Sequence, residues 1–381
     1  FGNQAITMRL LILCTLFQLV YSKVNLPGPS GPCQVEARSA ELVDTSRIDP
    51  FSPNRNATRA IMVTSFVPVY CGEVQYESYL PPKIAQAGTQ MLNLPNGTLE
   101  SIQLGSWSSG EHSRRNETQE YPVIIFSPGL SASRLIYANL LENVASNGFA
   151  VVSVDHPYDA AAVEFPDGRI VAGKANMSDI PLAVDTRVRD VIFTLNELSN
   201  NTKSIIPPSF PSKLQLDRVA LIGHSLGGAT AAQAMLNDTR FAGGINFDGS
   251  LHGSVIQQGL DRPFINFGQA SLADSEYNTW NETWPHLRDF KLQLQLKDSL
   301  HLTFSDLPVV FDSAPSAKAL RNATARTLGS LPGLGTLPGL RVRTILTHYI
   351  MEASRFFLRG KKPAILRGPS SAYPEVMYVR T

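Results

Sequence analysis

This chain of 381 residues has little excess charge and little cysteine. Thirty-three Lys and Arg residues face 32 Asp and Glu residues, and Cys14, Cys33 and Cys71 are the three cysteines. Because no run of basic residues stands out, the composition argues against nucleic acid as a partner. The cysteines also lack the spacing of a metal site. We expect neither a metal ion nor an organic cofactor.

Long hydrophobic runs are missing beyond the start of the chain. The apolar stretch from Leu10 to Val20 is shorter than the ~20 residues that a membrane span needs. Met8 and Arg9 precede it and small or β-branched residues follow, which is typical of a secretory signal peptide. Residues 1–22 are predicted to be this signal, with residues 1–7 interpreted as upstream sequence. We expect a secreted chain without a transmembrane segment.

For a secreted chain, the cysteines and the glycosylation sequons predict a disulfide and a glycosylated surface. Cys14 would leave with the signal, and Cys33 and Cys71 are expected to form a disulfide in an oxidising compartment, with free buried thiols as the alternative. Chance would supply roughly three Asn-x-Ser/Thr sequons in such a chain. The excess indicates a glycosylated surface, with candidate sites at Asn56, Asn96, Asn116, Asn176, Asn200, Asn237, Asn281 and Asn322.

Apolar runs alternate with helical patterns from Tyr121 onward. Continuous apolar strands indicate a sheet that is buried on both faces; they read PVIIF, FAVVSVD, RVALIG, AGGINFD, RPFINFG and LQLQL. Helical spacing between them is found in SRLIYANLLENVASNG, AVDTRVRDVIFTLNELSNN and GGATAAQAMLND. This order predicts an α/β protein with a mostly parallel, doubly wound sheet and helices on both faces.

The less regular N-terminal part is assigned to the same domain. The segments AIMVTSFVPVY and ESIQLGSW alternate like antiparallel edge strands, and we expect both to extend the same sheet. The segment GSLPGLGTLPGL is interpreted as a turn-rich loop, and VRTILTHYIMEASRFFLRG as a closing helix. Residues 23–360 are therefore predicted to form one catalytic domain, and residues 361–381 a C-terminal tail.

Ser225 is the candidate nucleophile. It is the serine of GHSLG, which matches Gly-x-Ser-x-Gly at the junction of a predicted strand and a predicted helix, the context of a nucleophile elbow. Gly223 and Gly227 would let so tight a turn form. The amide of Leu226 would meet the developing oxyanion at the helix N-terminus, while His224 is interpreted as a packing group. A structural turn serine is the alternative.

A second oxyanion donor is expected in the loop of VIIFSPGLSASR. Pro128 has no amide hydrogen, which leaves Gly129 or Leu130, and we favour Leu130. On this fold an acid and then a histidine follow the serine along the chain. His301 lies just beyond the last apparent strand, whereas His252 follows Asp248 too closely. His286 lies in an irregular segment and His348 inside an amphipathic helix. Asp248 and Asp274, each after a strand, remain alternatives for the acid.

Several landmarks together resemble the platelet-activating-factor acetylhydrolases of the α/β-hydrolase fold, in a secreted, fungal-looking form. They are GPCQVEARSAELVD, FSPGLSASR, RVRDVIFTLNEL, GHSLGGATA, NFDGS and SLHLTFSD, over residues 29–360. The resemblance implies Ser225 as nucleophile, Asp248 rather than Asp274 as acid, His301 as base, and Leu130 with Leu226 as oxyanion donors. Ser127-Pro128 stands where a histidine often precedes the glycine in animal members, and Ser250 where an aromatic residue often follows Asp-Gly.

The resemblance further implies an esterase that removes short or oxidised acyl groups from the sn-2 position of phospholipids without calcium. A general lipase or cutinase-like esterase is the alternative function within the same chemistry. A secreted peptidase and a non-catalytic binding module are alternatives that the sequence favours less. Trp280 and Trp284 form either a lid that touches lipid interfaces transiently or a core contact.

Overall fold

A computed structural model of the chain describes residues 22–69, 73–108, 120–174, 179–210, 212–270, 278–321, 323, 327–328 and 331–381. The proposed signal peptide up to residue 21 lies outside these ranges, as do Cys71, Asn116, Asn176 and Asn322. None of the helices within the ranges is both long enough and apolar enough to cross a membrane.

A mixed sheet forms the centre of the described structure. Its order is β2 (Gln34–Ile48), β3 (Thr58–Val69), β7 (Ala150–Asp155), β6 (Glu120–Ser127), β10 (Lys213–His224), β11 (Phe241–Phe247), β12 (Phe264–Gln269), β13 (Lys291–Leu296) and β16 (Val376–Arg380). The strands from β7 to β13 in this order are parallel, whereas β2 with β3 at one edge and β16 at the other run antiparallel. This confirms the predicted α/β class with N-terminal antiparallel edge strands.

The apolar runs are continuous because both faces of the sheet are buried. In β6, Ile124 and Phe126 pack into one core, and Val123 and Ile125 into the other. Successive side chains of a strand point to opposite faces, so each core receives every second residue. Helices cover both cores.

The helices are α1 (Pro82–Met91), α2 (Ala138–Ala145), α3 (Ile180–Asn200), α4 (Thr202–Ile205), α5 (Leu226–Asn237), α6 (Val255–Gln258), α7 (Asn278–Thr283), α8 (Leu307–Ser313), α9 (Pro315–Lys318) and α10 (Gly339–Arg359). Helices α2, α8 and α10 cover the first core, and α3 and α5 the second. Short 3-10 turns lie at Leu99–Ser101, Arg134–Tyr137, Trp284–His286, His301–Phe304 and Ala364–Leu366.

Two expectations about strand placement differ from the structure. The segment ESIQLGSW was expected in the central sheet, but its strand β5 (Ile102–Ser108) pairs with β1 (Val24–Asn25) and β4 (Glu73–Ser78) in a separate sheet. The expected tail, residues 361–381, supplies β16, which pairs with β13. Both differences arise because strand partners are set by distant residues. Two small hairpins, β8 (Ala162–Glu164) with β9 (Ile170–Ala172) and β14 (Thr327–Leu328) with β15 (Leu331–Pro332), complete the strands.

Candidate active site

The candidate site lies at the carboxyl ends of the parallel strands. Ser225 follows β10, Asp248 follows β11, and His301 follows β13 after a short turn. In an open α/β sheet, ligands bind at this edge because the loops that leave neighbouring strands meet there. The fold therefore gathers three of the predicted side chains from positions far apart in the chain.

Ser225 occupies a sharp turn between β10 and α5. Its φ is +56° and its ψ is −123°, a conformation that is costly for a residue with a side chain. Its amide donates a 2.7 Å hydrogen bond to the Phe247 carbonyl, which ties the turn to β11. A β-carbon on Gly223 would overlap the carbonyl of Gly227, and one on Gly227 would overlap the carbonyl of Ser127. The two glycines are thus required by close backbone approach, as predicted from the motif.

Asp248 and His301 are joined by a hydrogen bond. His301 Nδ1 lies 2.7 Å from Asp248 Oδ2, and the carboxylate is buried whereas the imidazole is 26% exposed. Gln269, at the end of β12, donates its backbone N–H to Oδ1 and its side-chain Nε2–H to Oδ2, both at 2.8 Å. These bonds fix the carboxylate, so that His301 Nδ1 carries its proton toward Asp248 and Nε2 is left as a proton acceptor.

The base candidate lies next to the elbow. The rings of His301 and His224, the residue before Ser225, have centroids 4.6 Å apart. The His301 ring hydrogen-bonds Asp248 and not Ser225 Oγ. A hydrogen bond between the base and the nucleophile often tightens only once substrate binds. His348 lies on α10, and its ring packs against Tyr373 with the centroids 5.0 Å apart and the planes tilted by 32°.

The loop after β6 supplies one free amide. Gly129 N–H donates to Tyr137 Oη at 3.2 Å, and Ala132 N–H donates to the Gly129 carbonyl at 3.2 Å, which closes a turn around Leu130 and Ser131. The Leu130 amide donates to no residue that the structure describes. Leu226 is the first residue of α5, where amides precede the helical hydrogen-bond ladder. One candidate donor therefore lies in the elbow itself, and the other in the loop whose Gly129 approaches Ser225.

With this geometry in place, comparison with known proteins identifies the family. The model of the family described as platelet-activating factor acetylhydrolase, isoform II, matches residues 58–182 and 192–320. The chain belongs to this family. It is thus a member of a group of carboxylic-ester hydrolases, and the matched ranges contain Ser225, Asp248 and His301.

Individual proteins that are similar to this family member are likewise named as esterases or acetylhydrolases. A probable 1-alkyl-2-acetylglycerophosphocholine esterase of Arthroderma benhamiae is 29% identical over 392 residues, with 94% of each chain covered. The platelet-activating factor acetylhydrolase of Cavia porcellus is 27% identical over 215 residues, 49% of each chain. Among solved structures, a ferulic acid esterase from Streptomyces cinnamoneus superposes with a TM-score of 0.78 at 27% identity, covering 94% of this chain and 100% of that one.

The structure of this family member also contains a second Ser-His-Asp arrangement that the sequence analysis missed. Ser127 Oγ lies 3.0 Å from His156 Nε2, and His156 Nδ1 lies 2.9 Å from Asp190 Oδ2. All three residues are buried, so no substrate reaches Ser127. Burial alone would raise the pKa of Asp190, but the ion pair with Arg59 and the bond to His156 hold it below its ordinary value. No local sequence motif signals this network, because its three residues lie far apart in the chain.

The remaining predicted sites have separate outcomes. Trp280 is fully buried and its Nε1–H donates to the Gly249 carbonyl at 2.6 Å, so it is a core residue and not part of a lid.

Cys33 forms no disulfide within the described ranges. Strands β2 and β3 pair at Gln34 and Val69, and Cys71 lies two residues beyond Val69 in the sequence. In the same ranges, no cluster of acidic, His or Cys side chains could hold a metal ion. The exposed sequon asparagines are Asn56, Asn96, Asn200, Asn237 and Asn281.

Proposed function

We propose that this chain is a secreted serine esterase that removes short acyl groups from the sn-2 position of phospholipids. The observation that carries the proposal is the Asp248–His301 hydrogen bond beside the strained Ser225 turn. Family membership and the name of the Arthroderma benhamiae relative support this substrate class. Secretion, glycosylation and the Cys33–Cys71 disulfide belong to the same proposal and rest on the sequence.

The proposed reaction proceeds through an acyl-enzyme. His301 Nε2 takes the proton of Ser225 Oγ as this oxygen attacks the ester carbonyl carbon, and Asp248 stabilises the imidazolium that forms. The amides of Leu130 and Leu226 bind the negative carbonyl oxygen. The C–O bond to the alcohol then breaks, and the alcohol leaves with the proton from His301.

Hydrolysis of the acyl-enzyme repeats these roles with water. His301 takes a proton from a water molecule, whose oxygen attacks the acyl carbon bound to Ser225 Oγ. The bond to Oγ breaks, Oγ recovers a proton from His301, and the carboxylic acid is released. Because no step requires a metal ion, chelators should leave the activity unchanged.

The apolar pocket beside the site favours short acyl chains. It has a volume of about 330 Å³ and lies between α1, the loop of Leu130 and the turn that follows His301, with Leu302 in its wall. Ligand pockets commonly measure about 300–1,000 Å³, which places this one at the small end. Its walls offer aliphatic side chains, among them Ile84, Met91 and Ile136.

The test is acyl release from 2-acetyl, 2-hexanoyl and 2-palmitoyl phosphatidylcholines by the wild type, Ser225→Ala and the matched control Ser204→Ala, with EDTA present. Ser204 lies on α4, and its hydroxyl bonds the nearby Asn201 carbonyl. We expect turnover of the two shorter substrates, abolished only by Ser225→Ala. Cleavage that Ser225→Ala retains would refute the proposed nucleophile.

The structural neighbour gives a second candidate, a broader esterase. Because a ferulic acid esterase covers 94% of this chain at a TM-score of 0.78, ethyl ferulate and p-nitrophenyl acetate belong in the same assay. If the chain turns over these esters and none of the phosphatidylcholines, the broader esterase replaces the phospholipid enzyme. If it turns over no ester at all, both candidates fail.

A further inference from the structure

A row of hydrogen bonds runs beneath the candidate site and joins three of its segments. Gly129 N–H donates to Tyr137 Oη at 3.2 Å, Tyr137 Oη lies 2.8 Å from His224 Nδ1, and His224 Nε2 lies 2.9 Å from the His301 carbonyl. Tyr137 is fully buried and His224 is nearly so. We call this row the Gly129–His301 chain.

The groups at the two ends of the Gly129–His301 chain determine which atom donates in each of its hydrogen bonds. The His301 carbonyl can only accept, so His224 Nε2 must carry a hydrogen. A neutral imidazole has one N–H, which makes His224 Nδ1 an acceptor for the Tyr137 hydroxyl. Tyr137 oxygen in turn accepts from Gly129 N–H. One arrangement of hydrogens thus satisfies each donor and acceptor of the Gly129–His301 chain.

The neutral form of His224 is the one that burial favours. Burial, and then the neighbouring His301, hold the pKa of His224 well below its ordinary value. A protonated His224 would turn Nδ1–H toward Tyr137 Oη and leave the buried hydroxyl hydrogen without an acceptor. It would also set a second positive charge 4.6 Å from the ring of His301 when that residue is protonated.

From this we propose that Tyr137 and His224 are positioning residues that hold the Leu130 amide and the His301 backbone in register with Ser225. The proposal rests on the proposed esterase function. Tyr137 draws Gly129 N–H away from the site, so that Leu130 N–H is left as the loop's donor. His224, fixed by its place in the elbow, holds the carbonyl of the residue that supplies the base.

The loop is also held from its other side. Arg187 donates to the Pro128 carbonyl at 2.6 Å and to the Gly129 carbonyl at 3.1 Å, and it is ion-paired with Asp159. A β-carbon on Gly129 would lie 3.3 Å from both His224 Nδ1 and Ser225 Cβ. Both polar groups of the Gly129 backbone are therefore bonded, and the loop packs directly on the elbow.

The kinetic test compares Tyr137→Phe, His224→Leu and His224→Gln with the matched control Tyr349→Phe. Tyr349 has a buried hydroxyl on α10 that pairs with the Tyr378 hydroxyl and takes no part in the Gly129–His301 chain. We expect kcat to fall about tenfold in Tyr137→Phe and His224→Leu with KM changed by less than about twofold, since the transition state loses its aligned donors. His224→Gln should recover most of kcat, because an amide retains one donor and one acceptor.

Two further results separate positioning from folding. The kcat of the double variant Tyr137→Phe/His224→Leu should lie within about twofold of the kcat of the slower single variant. The two losses should not multiply, because both changes interrupt the same row of hydrogen bonds. Affinity for a trifluoromethyl ketone analogue of the substrate should fall by the same factor as kcat/KM. A folded Tyr137→Phe variant with wild-type kcat and analogue affinity would overturn the proposal.

Nitrogen-15 NMR of labelled histidines gives a readout that does not depend on turnover. His224→Gln identifies the resonances of His224, which should show a neutral ring with the proton on Nε2 at neutral pH and at the ordinary histidine pKa of about 6.5. A proton on Nδ1, or titration with an ordinary histidine pKa, would overturn this hydrogen-bond arrangement in an enzyme that is still active. A wild type that hydrolyses no ester would instead overturn the proposed function, and with it any catalytic role for the chain.

Discussion

Asp248 Oδ2 lies 2.7 Å from His301 Nδ1, although 53 positions separate the two residues in the sequence. If this bond orients the base, Asp248→Asn should lower kcat roughly 10³- to 10⁴-fold, because an amide no longer holds the required tautomer of His301. The melting temperature should change little, since the amide keeps the size of the carboxylate. Turnover of 2-acetyl phosphatidylcholine at substrate saturation is the measurement.

Asp274→Asn is the matched control for this variant. Asp274 is the other aspartate that the strand pattern allowed, and it lies outside the described residues. We expect kcat of Asp274→Asn within about twofold of the wild type. A large loss in Asp274→Asn together with a small one in Asp248→Asn would reverse the assignment of the acid.

Leu130→Pro tests the proposed oxyanion donor by removing its N–H. Ser131 has φ +61°, and the Ala132 amide bonds the Gly129 carbonyl, a pattern close to a type II turn with Leu130 at its second position. Proline is common at that position, so the turn should survive. We expect kcat to fall roughly 10²- to 10³-fold, as for the loss of one oxyanion donor.

Leu130→Ala separates the amide from the side chain. Alanine keeps the N–H, so kcat should stay within about tenfold of the wild type, and any loss should appear mainly in KM. Equal kcat losses in the proline and alanine variants would show that the leucine side chain, and not its amide, matters. Circular dichroism of both variants checks that the fold is retained.

The local parts of this structure could be predicted from the sequence. The strand before Ser225 and the helix after it are both encoded by one short segment, and the glycines at 223 and 227 indicate the tight turn between them. The end of β11 likewise places Asp248 at the correct edge of the sheet. Such features depend on neighbouring residues, which a pattern records.

Contacts between residues that are far apart in the sequence leave no local pattern from which they could be predicted. Strand β16 exists because β13 offers an edge, and nothing within residues 361–381 identifies that partner. Gln269 finds Asp248 only because β11 and β12 pair in a particular register, and Tyr137 meets His224 across 87 positions. For the same reason the strand pattern alone leaves Asp248 and Asp274 as alternatives, and it is the resemblance to known proteins that favours Asp248.

Ala87→Trp tests whether the apolar pocket binds the acyl chain. Ala87 is exposed on α1 and lines the pocket, so a tryptophan there can occupy its volume without disturbing a core. We expect kcat/KM for 2-hexanoyl phosphatidylcholine to fall about tenfold more than that for the 2-acetyl substrate, as a few buried methylenes are worth about this factor. Gln86→Trp, on the same helix but outside the pocket wall, should leave the ratio unchanged; an equal change in both variants would argue against an acyl pocket here.

Glu142→Gln should stabilise the protein at high pH. Glu142 is buried in α2, and neither carboxylate oxygen has a hydrogen-bond partner among the described residues. Burial raises its pKa to about 8, against the opposing effect of Arg343. The folded state therefore retains a proton that the unfolded chain releases above its ordinary pKa of about 4.3, so this group's contribution to stability falls as pH rises between the two values.

Glutamine has the same shape and no proton to lose. The free energy of unfolding of Glu142→Gln should equal that of the wild type near pH 4 and exceed it by a few kcal/mol near pH 8, since each pKa unit corresponds to about 1.4 kcal/mol. Urea denaturation at several pH values measures this difference, and Glu77→Gln, at an exposed position of β4, is the control that should show none. A Glu142→Gln variant that is less stable than the wild type at pH 8 would mean that the carboxylate is ionised and bound in the folded protein, which contradicts the burial argument.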